Sequence, residues 1–216
     1  CHNPEGLHCE KQLFYRKARC THCGLCKQGC AHTECRPFGR CLHVCPRNCI
    51  SVCGEDIESE ELTKRLAHYR SFFDACGGGV TFSGGEPLMQ WQFVAETAKH
   101  LAALGIGDVS IETSGYAAKE AFQTVARVCS LVIMDIKVFD GLRHKRLTGV
   151  DNERIKENFL WLKGSGIPYI VRTPLISGKT DDEENLCAIR KFIGDSAWEQ
   201  LPENLLAKAK YENLIS

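Results

Sequence analysis

The sequence predicts an α/β protein whose parallel sheet follows a cysteine-rich segment. Beyond residue 80, short apolar strands alternate with helical patterns, which is the order that parallel βα units produce. Before that point, 11 of the 14 cysteines lie between Cys1 and Cys53, in a stretch without long apolar periodicity. A segment of this kind is typical of chains in which a metal takes the place of a hydrophobic core.

The first element after the cysteines is a predicted helix over residues 57–76. Leu62, Leu66 and Phe73 recur at helical spacing behind acidic residues, and a glycine triplet from Gly77 ends the helix. Further along, an almost continuous apolar run is typical of a buried parallel strand. We predict strands at Val80–Phe82, Val109–Thr113, Leu131–Ile136 and Tyr169–Ile176, with a weaker strand through Ala197–Leu201. We predict the intervening helices at Trp91–Leu104, Ala118–Cys129, Asn152–Lys163 and Asp182–Ile193.

Composition and charge exclude several classes of protein. The 27 Lys and Arg residues balance the 27 Asp and Glu residues, so the chain lacks the basic excess of a protein that binds the nucleic-acid backbone. No apolar run approaches the ~18–20 residues that a membrane span needs. We therefore expect neither nucleic acid nor a membrane as a partner. Clustered cysteines favour metal binding over disulfides.

Polar groups stand where four predicted strands end, at Ser83–Pro87, Glu112–Gly115, Asp135–Lys137 and Arg172. The carboxyl ends of parallel strands share one edge of the sheet, where active sites of such folds lie. Glycines and polar residues also simply end strands, and this is the alternative at any one position. Together, the four segments indicate an active site.

The first cysteine run has the spacing of a bacterial ferredoxin. Cys20, Cys23, Cys26 and Cys30 follow the pattern Cys-x2-Cys-x2-Cys-x3-Cys, in which three thiolates bind one cubane and the fourth binds another. We predict a 4Fe–4S cluster here.

A second run is incomplete. Cys35, Cys41 and Cys45-Pro46 fit the ferredoxin pattern, but Phe38 stands where a further cysteine belongs. By the crossed-ligand rule, the first cluster is predicted to be held by Cys20, Cys23, Cys26 and Cys45. The second is predicted to be held by Cys30, Cys35 and Cys41, with Cys49 or Cys53 as the fourth ligand.

Zinc is the alternative to iron–sulfur clusters. Cys20 and Cys23 with Cys41 and Cys45 have the spacing of a four-thiolate zinc ribbon. That assignment leaves five cysteines of the segment unexplained. The isolated cysteines further along are expected to be small buried residues: Cys76, Cys129 and Cys187.

The order of motifs resembles one family. Cys1–Gly6, two ferredoxin-like runs and then Ser83–Pro87 are similar to the radical S-adenosylmethionine (SAM) activating enzymes of glycyl radical enzymes, the group that includes pyruvate formate-lyase activating enzyme. Further matching segments are Glu112–Gly115, Asp135–Lys137, Leu147–Gly149, Arg172–Gly178 with Thr180-Asp181, and Lys210-Tyr211.

The resemblance implies a partial (β/α)6 barrel with a ferredoxin-like insert. Residues 1–8 would be the remnant of the radical SAM cluster loop, residues 9–56 the insert and residues 57–216 the barrel. In the family, a Cys-x3-Cys-x2-Cys motif binds the radical-generating cluster, and Cys1 matches its third, catalytic cysteine. The first two would lie upstream, so we expect a truncated form that is inactive without them.

The resemblance also implies an oxidoreductase activity, its cofactors and its partners. In the family, SAM binds the open iron of a 4Fe–4S cluster and is reduced to a 5′-deoxyadenosyl radical, which takes the Cα hydrogen of a glycine in a partner enzyme. The expected partners are a pyruvate formate-lyase-like glycyl radical enzyme and an electron donor such as flavodoxin or ferredoxin. The oxygen-labile chemistry implies an anaerobic cytoplasm.

Site residues follow from the resemblance. Gly84 and Gly85 would let the backbone approach SAM, and their carbonyls with the Glu86 carboxylate would receive its ammonium group. Arg172 would contact the SAM carboxylate.

Four more residues complete the implied site. Asp135 and Lys137 would lie at the SAM and partner-peptide site, with Lys137 counted as catalytic. Glu112, Thr113 and Asp135 would lie near a monovalent cation. Each of these residues, like Arg172, has a structural ion pair as its alternative.

Two rival functions remain at the level of sequence. One is a ferredoxin-like electron-transfer module on a degenerate barrel that no longer uses SAM. The other is a zinc-binding scaffold, whose protein would be colourless rather than brown.

Overall fold

The computed structural model describes residues 10–203 and the backbone of residues 214–215. Within these residues the chain forms two compact units. One comprises residues 10–56 with residues 214–215, and the other comprises Ile57–Glu203. None of the helices in the described part of the chain is long and apolar enough to span a membrane.

Strands and helices alternate through most of the chain. The strands are β1 Gln12–Tyr15, β2 Ile50–Cys53, β3 Val80–Phe82, β4 Val109–Thr113, β5 Leu131–Asp135, β6 Tyr169–Leu175, β7 Trp198–Pro202 and β8 Leu214–Ile215. The helices are α1 Ser59–Ala67, α2 Arg70–Cys76, α3 Trp91–Ala103, α4 Lys119–Ala126, α5 Gly141–Thr148, α6 Glu153–Ser165 and α7 Glu183–Ile193.

The cysteine-rich unit is a small antiparallel sheet in the order β2-β1-β8. Gln12 pairs with Cys53 and Tyr15 with Ile50, so β1 and β2 bracket the cysteine loops. Short 3-10 turns fill the space between the two strands. Its buried apolar cluster is very small, comprising Leu13, Cys49 and Ile50. A core of this size stabilises little by itself, which fits a segment organised by metal.

The second unit is built on a parallel sheet with the strand order β3-β4-β5-β6-β7. Each strand pairs with the next along the chain, so the five carboxyl ends lie along one edge. Large buried side chains from both strands and helices form the core, among them Ile111, Phe122, Met134 and Phe159. This core fixes the strand ends that carry the site.

Several predicted elements differ from the observed ones. The predicted helix over residues 57–76 is two helices, α1 and α2, separated at His68 and Tyr69. Helix α5 was not predicted, because it is strongly polar and only His144 within it is buried. Of the three isolated cysteines, Cys129 is buried as expected, but Cys76 and Cys187 are exposed.

Candidate active site and metal centres

Glu86 joins the ends of two neighbouring strands. It follows β3 and caps the 3-10 turn Pro87–Gln90, accepting a hydrogen bond from the Leu88 N–H at 3.2 Å. Its carboxylate also accepts hydrogen bonds from the Thr113 hydroxyl (2.6 Å), the Ser114 N–H (2.9 Å) and the Ser114 hydroxyl. An ionised carboxylate offers about four acceptor positions, and these contacts use them all. Glu86 therefore holds the loop after β3 against the end of β4.

Gly84 lies on the same loop in a conformation that favours glycine. Its φ is +125°, and a Cβ atom placed there would meet no other atom of the described residues within 4 Å. Backbone conformation, rather than packing, therefore requires glycine at this position. The space beside Gly84 is open to a ligand that approaches the main chain.

The Glu-Thr-Ser-Gly segment after β4 is held from several sides. Thr113 is 3% exposed, and its hydroxyl accepts a hydrogen bond from the Gly115 N–H at 3.0 Å. The Asn158 amide donates to the Gly115 carbonyl at 2.9 Å. A side chain at Gly115 would collide with Met134, whose Cε would lie 2.3 Å from the Cβ. The backbone here has one well-defined position.

Arg172 bridges two carboxylates across the sheet. Its Nη1 donates to Glu112 Oε1 at 2.9 Å, and its Nε donates to Glu199 Oε2 at 2.7 Å. Glu112 also accepts a hydrogen bond from the Ser83 hydroxyl at 2.8 Å. The guanidinium, the two carboxylates and the Ser83 hydroxyl thus connect the ends of β3 and β4 to the interior of β6 and β7. The planar fork of arginine suits such a two-sided contact.

Asp135 and Lys137 face the same side, as their spacing predicts. Lys137 Nζ lies 2.7 Å from Asp135 Oδ2, and both side chains are partly exposed. Asp135 is in register with Arg172 on β6. Three of the four predicted segments therefore lie at strand ends along one edge of the sheet. Arg172, predicted at a strand end, lies within β6 instead, level with Asp135 at the end of β5.

A first recess in the cysteine-rich unit lies between the cysteine loops. Its lining includes the four cysteines predicted for the first cluster and one more: Cys20, Cys23, Cys26, Cys45 and Cys49. The Cys49 N–H donates to Cys45 Sγ at 3.4 Å and lowers the pKa of the Cys45 thiol. The His22 N–H donates to Cys20 Sγ at 3.3 Å. Cysteine sulfurs that accept main-chain hydrogen bonds are the donor set that a 4Fe–4S cluster needs, so these residues fit one.

A second recess, of about 230 Å³, is lined by Cys26, Cys30, Cys35 and Cys41. The His43 N–H lowers the pKa of the Cys41 thiol. Cys30 Sγ lies 3.0 Å from His32 Nδ1. His32 was not selected from the sequence, although it stands in the Cys-x-His-x2-Cys spacing between the two runs.

The two cysteines predicted as fourth ligands of the second cluster lie elsewhere. Cys49 lines the first recess and contacts Cys45. Cys53 ends β2, in register with Gln12. Cys1 and the segment Lys210-Tyr211 lie outside the described residues.

Comparison with known protein families identifies the family of this chain. The sequence profile of the radical SAM superfamily matches residues 18–188. The chain belongs to the radical SAM superfamily. Within it, the chain is a member of the glycyl-radical-enzyme activating enzymes, because its curated relatives carry that activity in their names. This confirms the family predicted from the motifs and favours it over the electron-transfer and zinc-scaffold alternatives.

Three curated relatives match most of this chain and a smaller share of their own length. A choline trimethylamine-lyase activating enzyme of Oleidesulfovibrio alaskensis is 32% identical over 89% of this chain and 67% of the relative. A trans-4-hydroxy-L-proline dehydratase activating enzyme of Clostridioides difficile is 32% identical over 99% of this chain and 77% of the relative. The pyruvate formate-lyase 2-activating enzyme of Escherichia coli is 32% identical over 86% of this chain and 59% of the relative.

Solved structures agree with the fold. A domain of a pyruvate-formate lyase-activating enzyme from Bacteroides vulgatus is 35% identical, with a TM-score of 0.51 over 58% of this chain and 76% of that domain. Streptococcus suis SuiB has a TM-score of 0.59 over 72% of this chain and 35% of its own, but at 13% identity it shows the fold alone. The predicted α/β radical SAM fold is confirmed.

Proposed function

We propose that this activating enzyme generates a glycyl radical in a pyruvate formate-lyase-like partner enzyme. When bound, a 4Fe–4S cluster supplies the one electron that cleaves a C–S bond of SAM to methionine and a 5′-deoxyadenosyl radical. The radical then takes a hydrogen atom from the glycine Cα, which leaves 5′-deoxyadenosine and the glycyl radical. The hydrogen-bonded edge formed by three polar strand ends and Arg172 is the observation that carries this proposal.

The loop after β3 is proposed to bind the amino group of SAM. Gly84 and Gly85 present main-chain carbonyls, and the open space beside Gly84 allows close approach. The Glu86 carboxylate adds negative charge nearby while its four hydrogen bonds position the loop. An ammonium group makes charge-assisted hydrogen bonds to the main-chain carbonyls, and the charge of the Glu86 carboxylate attracts it.

Arg172 is proposed to bind the carboxylate of SAM. The guanidinium has five N–H donors, and its contacts with Glu112 and Glu199 fix its plane. The same two carboxylates also hold the Arg172 side chain in this orientation when no ligand is bound. Arg172 would thus be oriented before SAM arrives, which lowers the entropic cost of binding.

Asp135 and Lys137 are proposed to face the partner's glycine loop, with Lys137 as the catalytic candidate at that end of the site. Their ion pair lies at the carboxyl end of the central strand β5, and both side chains are partly exposed. A peptide carbonyl is a suitable acceptor for the Lys137 ammonium. A monovalent cation near Glu112, Thr113 and Asp135 is proposed as a further component, because these residues bring oxygen ligands to the same edge.

The first recess is proposed to hold a ferredoxin-like 4Fe–4S cluster that takes electrons from flavodoxin or ferredoxin. Cys20, Cys23, Cys26 and Cys45 would be its ligands, and the main-chain N–H groups at the recess would stabilise the thiolates. Cys1 is proposed as a ligand of the SAM-binding cluster.

Sequence identity does not select the partner. The chain is 32%, 32% and 30% identical to activating enzymes of a choline lyase, a hydroxyproline dehydratase and an isethionate lyase. The test therefore mixes the anaerobically reconstituted full-length protein, which includes the two cysteines expected upstream of Cys1, with a panel of glycyl radical enzymes, dithionite and SAM. We expect 5′-deoxyadenosine by chromatography and a glycyl radical EPR signal with one partner. If the protein contains all of its 4Fe–4S clusters and still does not cleave SAM, the proposal is refuted.

A further inference from the structure

Four ligand atoms converge at the second recess of the cysteine-rich unit. Cys30 Sγ, His32 Nδ1, Cys35 Sγ and Cys41 Sγ all lie within 4.8 Å of one another. Within this group, Cys30 Sγ lies 3.0 Å from His32 Nδ1. Cys35 is 2% and Cys41 6% exposed, so two of the sulfurs are removed from water.

The local backbone explains how the four residues meet. Cys35 lies on the 3-10 helix Thr33–Phe38, and Gly39, with φ +59°, turns the chain back so that Cys41 follows. The Cys41 N–H donates to the Cys26 carbonyl at 2.8 Å, which fixes the segment that follows Gly39. The Leu42 N–H donates to Cys35 Sγ at 3.3 Å. Such a hydrogen bond to sulfur is typical of a thiolate that binds metal.

We propose that this group binds a single tetrahedral metal ion, zinc, through three thiolates and the Nδ1 of His32. Ligands of one zinc ion stand about 2.0–2.3 Å from it and hence about 4 Å from each other, which matches the observed group. The thiolates of a cubane bind different irons and stand further apart. Phe38, at the position of a missing cysteine, leaves His32 as the fourth ligand.

The first recess provides an internal comparison. Its cysteines, Cys20, Cys23, Cys26 and Cys45, do not come together as such a compact group among the described residues. Their wider spacing suits a cubane, whereas the narrower group of the second recess suits one ion. The chain therefore combines two kinds of metal site in one small unit.

Charge at the second recess agrees with a metal thiolate centre. Zinc with three thiolates and a neutral imidazole carries one net negative charge. Lys27, Arg36 and Arg40 line the same recess and supply compensating positive charge. Since zinc has no redox chemistry, this centre would fix the loop between the cysteine runs and take no part in electron transfer. The proposal does not depend on the proposed function.

The first test is metal content after anaerobic purification and reconstitution with both iron and zinc. We expect one zinc per chain in addition to iron and sulfide. H32A should weaken zinc affinity about 100-fold or more in competition with a chromophoric chelator, because it removes a ligand. H32C should restore binding as a four-thiolate site, which keeps the test decisive if H32A folds poorly. Replacing zinc by cobalt should give tetrahedral thiolate absorption bands.

The matched control is H43A. His43 lies beside the group, with its ring centroid 4.7 Å from that of His32, but it pairs with Glu34. Zinc should therefore remain bound in H43A. C35S should lose the zinc and leave iron and sulfide unchanged. Loss of about four irons and four sulfides in C35S, without any zinc in the parent protein, would overturn the proposal and establish a second cubane.

Discussion

Glu86 and Ser114 are joined by two hydrogen bonds, from the main-chain N–H at 2.9 Å and from the hydroxyl of Ser114 to the same carboxylate oxygen. These contacts tie the glycine loop after β3 to the end of β4. Glu86, which the sequence motif associates with SAM, thus also stabilises the contact between these two segments. Any substitution of Glu86 is expected to disturb stability and SAM binding together.

Glu86→Gln tests this dual role. The amide retains one acceptor oxygen but turns an NH2 group toward donors, which leaves partly buried hydrogen bonds unmade. We expect a loss of unfolding free energy of about 1–3 kcal/mol and a SAM affinity that falls about tenfold. Denaturant unfolding and equilibrium dialysis measure the two effects. Glu96→Gln, at an exposed site on α3, is the matched control and should change neither. Unchanged stability in the Glu86 variant would contradict the observed hydrogen bonds.

Gly84→Ala tests the backbone requirement separately from packing. No neighbour blocks the added methyl group, so the cost comes from holding alanine at φ +125°, about 1–3 kcal/mol. Gly107→Ala is the control, because its Cβ also meets no atom within 4 Å and its φ lies outside the left-handed range. We expect a lower Tm for the first variant only. Equal Tm values for the two variants would show that the loop conformation is not fixed.

Arg172→Lys tests the bridge between the two carboxylates. A lysine ammonium cannot reproduce the fork that reaches both Glu112 and Glu199, so the cation loses its fixed orientation. We expect SAM affinity to fall about tenfold, with a smaller effect on stability because all three side chains are partly exposed. Arg146→Lys on the exposed face of α5 is the control. Isothermal titration that gives the same SAM affinity for both variants would remove Arg172 from the SAM site.

Asp182 predicts a specific pH dependence. The Arg143 guanidinium beside it lowers the pKa of its carboxyl from 3.8 to about 2. Because the folded-state pKa is depressed, the ionised group stabilises the fold above pH ~4, and this contribution is lost as the pH falls toward 2. The stability difference between the parent protein and Asp182→Asn should therefore shrink over that window in urea unfolding experiments. A difference that stays constant down to pH 2 would contradict the ion pair.

Some elements follow from the sequence because local residues determine them. The predicted strands Val80–Phe82 and Val109–Thr113 have the observed bounds, since both alternate between apolar and polar residues and have glycines close by in the sequence. Helix α5 was missed because it has no apolar stripe, and the Asp140 cap alone does not signal a helix. Strands β1 and β2 were missed because each is four residues long and finds its partner far along the chain.

The candidate site, like the fold, could be predicted from the sequence only in part. Three of the four polar segments could be predicted at strand ends because parallel strands bring their carboxyl ends to one edge. The contacts between them could not, because the bridge from Arg172 to Glu112 and Glu199 depends on strand register. His32 was missed for a similar reason. A histidine two residues after a cysteine is common, and only the turn at Gly39 brings Cys41 close to it.

Deuterium transfer tests the central claim most directly. A partner glycyl radical enzyme is prepared with glycine deuterated at Cα and is incubated with the full-length protein, including the two cysteines expected upstream of Cys1, with SAM and with dithionite under anaerobic conditions. We predict 5′-deoxyadenosine that carries one deuterium, in step with a glycyl radical EPR signal that lacks the α-proton splitting of the undeuterated sample. Formation of 5′-deoxyadenosine without deuterium and without a protein radical, across the whole panel of partners, would contradict the assignment of this chain as a glycyl-radical-enzyme activase.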